Sequence, residues 1–260
     1  MINPKRKLTA TLCMTWAVLL VFAAPMNVQA EESAIDPAAV ATLHKMADYF
    51  SKLGQFTVQT QTTFEDRLES GQRVDFDVAA TVAVRRPNKI HAARLGELIN
   101  QDFYYDGESL TLYDPPNGVY ATQPAPKTIE EVFDYTRESL GLLIPVSDLV
   151  YRNTYSILME DVTSASVIGK AVIGDMLCEH LAFDRPDVAF QVWVAVGDEP
   201  VPCKYVVTDT SAPESISTVT VMSNWNLAPE LNDETFEFVA PEGATEISFI
   251  PLDETGDYGL

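Results

Sequence analysis

Residues 74–84 read VDFDVAATVAV, and every second position from Val74 to Val84 is apolar. A period of two places alternate side chains on opposite faces of a strand, so this stretch predicts a half-buried β-strand. In residues 56–64, FTVQTQTTF, the same period places Phe56, Val58, Thr60, Thr62 and Phe64 on one face. Because the turn sequence ESGQ at residues 69–72 lies between the two stretches, we expect them to form a long antiparallel hairpin.

Shorter predicted strands, separated by turn sequences, lie before and after a helical region in the middle of the chain. Asp106-Gly107 and Gly174-Asp175 are examples of such turns. Connections this short join antiparallel neighbours. The further predicted strands are residues 89–95, 103–105, 110–113, 119–122, 162–172, 178–184, 189–195, 204–208 and 217–227.

Helix-start signals stand at two places. Asp36 followed by Pro37 is typical of an N-cap and a first helical residue, and Thr128 with Glu131 has the spacing of a capping box. The sequence therefore predicts an α+β protein with one helix, five or six strands, one or two helices and about five strands. A strongly curved antiparallel sheet of this size needs its concave face covered, and the helices are available to cover it.

The first thirty residues have the features of a secretory signal peptide. Lys5, Arg6 and Lys7 precede an apolar run, and residues 28–30, VQA, form a small-x-small cleavage site. The uninterrupted apolar part, residues 17–24, is much shorter than the ~20 residues that a membrane span needs. We therefore expect residues 1–30 to be cleaved, leaving residues 31–260 as a single domain in the periplasm that is not an integral membrane protein.

Charge and motifs limit the function classes. The formal net charge is -21, and so acidic a surface repels phosphates, which argues against nucleic acid as a partner. The sequence contains no G-x-S-x-G, H-E-x-x-H, phosphate-loop or C-x-x-C motif, and its three histidines lack the spacing of metal ligands. We expect no catalytic residues, no metal and no cofactor, and hence not an enzyme.

Cys178 and Cys203 remain after signal cleavage, and an oxidising compartment would allow a disulfide between them. If they lie at the same end of a three-strand meander, strand spacing separates them by about 9 to 10 Å. That exceeds the ~7 Å that a disulfide tolerates unless twist or a bend brings the strands closer. Two buried free cysteines are the alternative.

Several segments resemble the LolA/LolB lipoprotein carrier superfamily. They are RPNKI at residues 86–90, YDGESLTLYDP at 105–115 and FEFVAPEGA at 236–244. With CEHLAF at residues 178–183 and SNWNL at 223–227, the chain is similar to one exported bacterial family there, domain of unknown function 2092, predicted periplasmic proteins. The resemblance extends over residues 38–250.

This resemblance implies a LolA-like half-open β-barrel capped by helices, with an apolar cavity that receives acyl chains in the carriers. The expected role is a non-enzymatic periplasmic binding protein or carrier for a lipid-like or lipoprotein ligand, with residues 141–145 as a lid. The alternative is an envelope sensor or protein-interaction module with an envelope protein as partner. Candidate cavity residues are Phe56, Val58, Phe76, Val78, Val82, Phe183, Trp193 and Trp225. Whether the concave face is an open cavity or a filled core stays open.

Overall fold

The computed structural model describes residues 34–142, 144, 146–211 and 215–249, so the predicted signal peptide lies outside the described residues. Helix α1 (Pro37–Lys52) precedes strands β1 (Gln55–Arg67), β2 (Arg73–Arg85), β3 (Lys89–Gly96), β4 (Asn100–Tyr105), β5 (Ser109–Asp114) and β6 (Val119–Pro124). Helices α2 (Ile129–Leu140), α3 (Ser147–Val150) and α4 (Thr154–Met159) follow. The remaining elements are β7 (Ser164–Ile173), β8 (Met176–Arg185), β9 (Val188–Ala195), β10 (Pro202–Asp209), β11 (Ser217–Asn226), a 3-10 helix (Asp233–Thr235) and β12 (Thr245–Glu246).

Within these ranges, twelve strands form one sheet in the order β12-β6-β5-β4-β3-β2-β1-β11-β10-β9-β8-β7. All neighbours are antiparallel except β12 and β6, which are parallel. The two halves of the chain meet where β1 pairs with β11, and Thr62 lies opposite Thr220. Their hydroxyl oxygens are 2.9 Å apart in a buried hydrogen bond across this junction.

One hydrophobic core shows how the sheet curves. It combines buried residues from β1–β5 and β7–β11 with residues from all four α-helices. Neighbouring strands lie ~4.8 Å apart, so a flat sheet of twelve strands would be much wider than the helices. Its outer strands could not then contact the same helices as its central strands. The sheet must wrap around the helices. This confirms the predicted α+β fold, a strongly curved antiparallel sheet with helices on its concave face.

The predicted helix starts are present. The Asp36 carboxylate accepts a hydrogen bond from the Ala38 backbone N–H at 2.8 Å, with Pro37 as the first helical residue. In α2, Thr128 Oγ1 accepts from the Glu131 backbone N–H at 3.3 Å, and the Glu131 carboxylate accepts from the Thr128 N–H at 3.2 Å. Both caps satisfy backbone donors that have no partner inside the helix.

Cys178 and Cys203 form a disulfide with their Cα atoms 6.7 Å apart. They belong to β8 and β10, which lie on either side of β9, as the two-strand separation predicted. The register shifts between Pro202 and Lys204, so Cys203 sits on a β-bulge. Since a bulge bends its strand locally, it brings Cys203 within bonding range across the small Ala195 of β9.

Candidate functional site

A cavity of about 100 Å³ lies between the concave face of the sheet and the helices. Its floor consists of alternate residues of β1, β2 and β3, because only one face of each strand points towards the helices. Its cover consists of Phe133 from α2, the residues Ile144 and Val146, and Ser147, Leu149 and Val150 of α3. The concave face is therefore covered by the helices but not completely filled by them.

The lining of this cavity is apolar almost throughout. Apart from Thr60, Thr62, Arg94 and Ser147, each lining residue is an aliphatic or aromatic residue or a proline. Three aromatic rings form one end: the Phe50 ring centroid lies 4.8 Å from Phe56 and 5.5 Å from Trp225. Surfaces of this kind bind apolar chains.

Five of the eight predicted cavity residues line this space: Phe56, Val58, Val78, Val82 and Trp225. The first four follow from the alternation in β1 and β2. Trp225 reaches the cavity from β11 and is fixed there by a hydrogen bond from its indole N–H to the Pro202 carbonyl, 3.1 Å long.

Phe76, Phe183 and Trp193 do not line the cavity. Phe76 is opposite Phe64, beyond the lined part of the β1–β2 hairpin and towards its turn. Phe183 is buried in the core against Phe190, with the ring centroids 4.7 Å apart. Trp193 packs with the disulfide in a second cluster, because its neighbour Val192 on β9 takes the concave side. On this strand Phe190 faces the helices, and Trp193 does not.

Arg94 is the charged residue among the lining residues that the candidate set missed. The alternation of β3 predicts its position, because Ile90, Ala92 and Arg94 lie on the same face of the strand. All three line the cavity. Burial lowers the pKa of the Arg94 guanidinium. Its Nη2 donates to the side-chain carbonyl of Gln101 at 2.9 Å.

A second cavity of about 350 Å³ adjoins the first and shares Phe133, Ile144, Val146 and Ser147 with it. These shared residues separate the two spaces. The second cavity is more polar and contains Asp148, whose pKa is raised by burial, although Arg185 and Arg137 oppose that shift. Moving the shared residues aside would join the two cavities.

The residue before α3 has a strained backbone. Val146 has φ 56°, the left-handed region that a β-branched side chain rarely adopts, at a cost of roughly 1 to 3 kcal/mol. Arg86, at the end of β2, donates from Nη2 to the carbonyl of Val150, the last residue of α3. This hydrogen bond links the end of α3, four residues after Val146, to the sheet.

Among the described residues, no group of three or more histidine, cysteine, aspartate or glutamate side chains could hold a metal ion. None of the helices in this part of the chain is both long and apolar enough to cross a membrane.

Comparison with known proteins gives a family. The family model described as "Predicted periplasmic protein (DUF2092)" matches residues 39–250, most of the chain. This agrees with the family and with the periplasmic location that the sequence predicted. No curated protein matches the chain.

Several solved structures are similar to this chain in outline. An uncharacterized conserved protein from Thermus thermophilus is 10% identical, with 81% of this chain and 99% of that chain covered and a TM-score of 0.47. The Mycobacterium tuberculosis lipoprotein LppX is 16% identical, with 76% and 100% covered and a TM-score of 0.44. A LolA superfamily protein from Nitrosomonas europaea is 14% identical, with 77% and 97% covered and a TM-score of 0.39.

Proposed function

This chain belongs to the family of predicted periplasmic proteins DUF2092, and from that premise we propose that it is a non-enzymatic periplasmic binding protein or carrier for a lipid-like ligand. The apolar chain of the ligand would lie in the cavity between β1–β3 and the helices. The observation that carries this proposal is the lining, in which all but four residues are apolar.

The affinity of such a site comes from buried apolar area. Each methylene group removed from water contributes ~0.8 kcal/mol, so ten of them contribute roughly 8 kcal/mol, which corresponds to micromolar binding before ordering costs. The contacting rings of Phe50, Phe56 and Trp225 offer a continuous apolar surface for this contact.

Binding requires the helical cover to move. The cavity of about 100 Å³ is smaller than the ~300 to 1,000 Å³ typical of ligand pockets. The adjoining cavity of about 350 Å³ becomes available when Ile144, Val146 and Ser147 are displaced. The strain at Val146 lowers the cost of that displacement, because opening the segment releases it. These residues would act as the lid.

The lining supports binding better than catalysis. Among the lining residues that the structure describes, Arg94 is the one with an ionisable side chain. A guanidinium stays protonated in proteins and cannot act as a general base. An acid–base reaction would also need a side chain that can take up or release a proton near neutral pH, and the other described lining residues are apolar or carry only a hydroxyl group.

A second candidate function is recognition of an envelope protein. Val172 is paired with Leu177 at the β7–β8 hairpin, and the Val196 N–H donates to the Leu177 carbonyl at 2.9 Å, so the three side chains are neighbours. All three are about half or more exposed. An exposed apolar patch of this kind favours a protein contact and is separate from the cavity.

Two adjacent alanines of β3 provide the test. Ala92 lines the cavity, whereas Ala93 faces the opposite side of the sheet. We expect Ala92→Leu to fill the cavity and weaken binding of the neutral fluorophore N-phenyl-1-naphthylamine by about 10-fold or more. Ala93→Leu should leave that affinity unchanged.

Thermal unfolding of both variants shows whether the leucine is tolerated, since overpacking costs typically ~1 to 3 kcal/mol. Equal affinity in wild type, Ala92→Leu and Ala93→Leu would place the fluorophore outside the cavity and contradict the proposal. The absence of any binding to the wild type would contradict it as well.

A further inference from the structure

Arg94 has hydrogen-bonding capacity that the described residues do not use. Its Nη2 donates to Gln101, but its Nε is buried and has no hydrogen-bond partner among the described residues. In the same part of the chain no carboxylate forms an ion pair with it. Burying a charged donor without a partner is costly, so a structure that keeps one leaves a place for an acceptor.

Small side chains surround the guanidinium on the cavity side. Ala80 lies directly opposite Arg94 on β2, and Ala92 precedes it by two positions on the same face of β3. Neither side chain extends beyond Cβ, so neither fills the space next to the guanidinium. An anionic group could approach it there from inside the cavity.

The cavity has a polar end and an apolar end. Thr60 lies opposite Ala80, which lies opposite Arg94, and Thr62 is two residues further along β1. The aromatic end is at Phe56 on the same strand. At ~3.3 Å per residue, Phe56 and Thr62 are roughly 20 Å apart. One end therefore suits a charged group and the other an apolar chain.

We propose that the ligand is an amphipathic anion whose head-group oxygens accept hydrogen bonds from Arg94 while its acyl chain points towards Phe50, Phe56 and Trp225. This inference rests on the proposed function and adds the chemical class of the ligand. A carboxylate and a phosphate share the required chemistry, because both present two oxygens to the planar fork of a guanidinium. Neutral lipids of equal chain length lack it.

The test compares palmitate with methyl palmitate, which has the same chain and no charge. Binding is followed by isothermal titration calorimetry on the whole mature protein. We expect the wild type to bind palmitate roughly 10- to 100-fold more tightly than the ester, the range expected for hydrogen bonds to a charged group. Arg94→Gln should remove this preference, so that palmitate binds no more tightly than methyl palmitate.

Two further variants control for charge and folding. Arg67→Gln removes an exposed arginine of β1 outside the cavity and should keep the full preference. Arg94→Lys keeps the charge but loses the fork, and we expect an intermediate preference. If Arg94→Gln does not fold, the wild-type comparison of acid and ester still decides the question.

Each outcome has a separate meaning. Equal binding of palmitate and methyl palmitate by the wild type overturns the anion inference and leaves the apolar cavity proposal standing. Binding of neither overturns both. Palmitoyl lysophosphatidic acid, tested alongside, shows whether the carboxylate or the phosphate head binds more tightly, and a preference for either acid over the ester supports the inference.

Discussion

Arg86 and Glu130 form an ion pair at 3.5 Å between the end of β2 and the first turn of α2, in which the arginine side chain is 1% exposed. The same guanidinium donates to the carbonyl of Val150 in α3. Burial lowers the pKa of Arg86, and Glu130 opposes that shift. One side chain thus connects the sheet to both helices that cover the cavity.

We therefore expect Arg86→Met to destabilise the protein by about 2 to 4 kcal/mol, because it removes the ion pair with Glu130 and leaves the Val150 carbonyl without this donor. Urea unfolding measures this. Lys52→Met is the matched control, since its ion pair with Asp48 is exposed and should contribute less than about 1 kcal/mol. A similar small effect for both variants would show that Arg86 does not fix the helices.

The disulfide should contribute about 3.5 kcal/mol to the free energy of unfolding, the value that loop closure over a separation of 25 residues predicts. Cys178→Ala combined with Cys203→Ala should lower the melting temperature, and reduction of the wild type should lower it by a similar amount. Thiol counting in denatured, unreduced protein checks the bond directly. Two reactive thiols there would contradict it.

His91 should make stability depend on pH. Burial lowers its pKa from the ordinary 6.5, and Asp102 opposes the shift. As the pH falls below about 6.5, the unfolded chain takes up a proton that the folded protein accepts only at lower pH, so stability decreases in that window.

The His91 ring stacks on Tyr104, with the two ring centroids 4.3 Å apart. His91→Phe keeps an aromatic ring at this position and removes the titrating imidazole. We expect a flatter curve of unfolding free energy against pH between about 7.5 and 5.5. The idea fails if wild type and variant lose stability equally over that range.

The segment after β11 is docked through two phenylalanines. Phe236 is fully buried, with the Arg85 guanidinium 5.1 Å from its ring centroid, and Phe238 packs 5.0 Å from Tyr120. Phe236→Ala should cost about 3 kcal/mol or more. Val239→Ala is the control, because that side chain is 82% exposed and should change stability by less than about 0.5 kcal/mol. Equal effects would mean that the segment is not docked as described.

Local sequence signals predicted much of this architecture. The alternation at residues 74–84 placed Val78 and Val82 on the concave face, and the Thr128–Glu131 spacing predicted the start of α2. These features depend on neighbours within a few residues. An alternation of apolar residues identifies a strand and its buried face, but it does not show how far a cavity extends along that face. For this reason the pattern also predicts Phe76 as a cavity residue.

Other features depend on contacts that are distant in sequence. The bulge that brings Cys203 towards Cys178 has no sequence signature that we recognised. In β9, both Phe190 and Trp193 are apolar, so the pattern could not choose the concave face, and the pairing with neighbouring strands decides it. The position of Arg94 follows from the sequence, because it is two residues after Ala92 and four after Ile90 and therefore lies on the same face of β3.

Native mass spectrometry of the mature protein purified from its own envelope tests the central claim most directly. We predict a lipid bound at one per chain in the wild type and in Ala93→Leu, and its loss from folded Ala92→Leu. A ligand-free mass for the wild type, together with no uptake from an added extract of envelope lipids, would contradict the account and favour the exposed patch of Val172, Leu177 and Val196 as the functional surface.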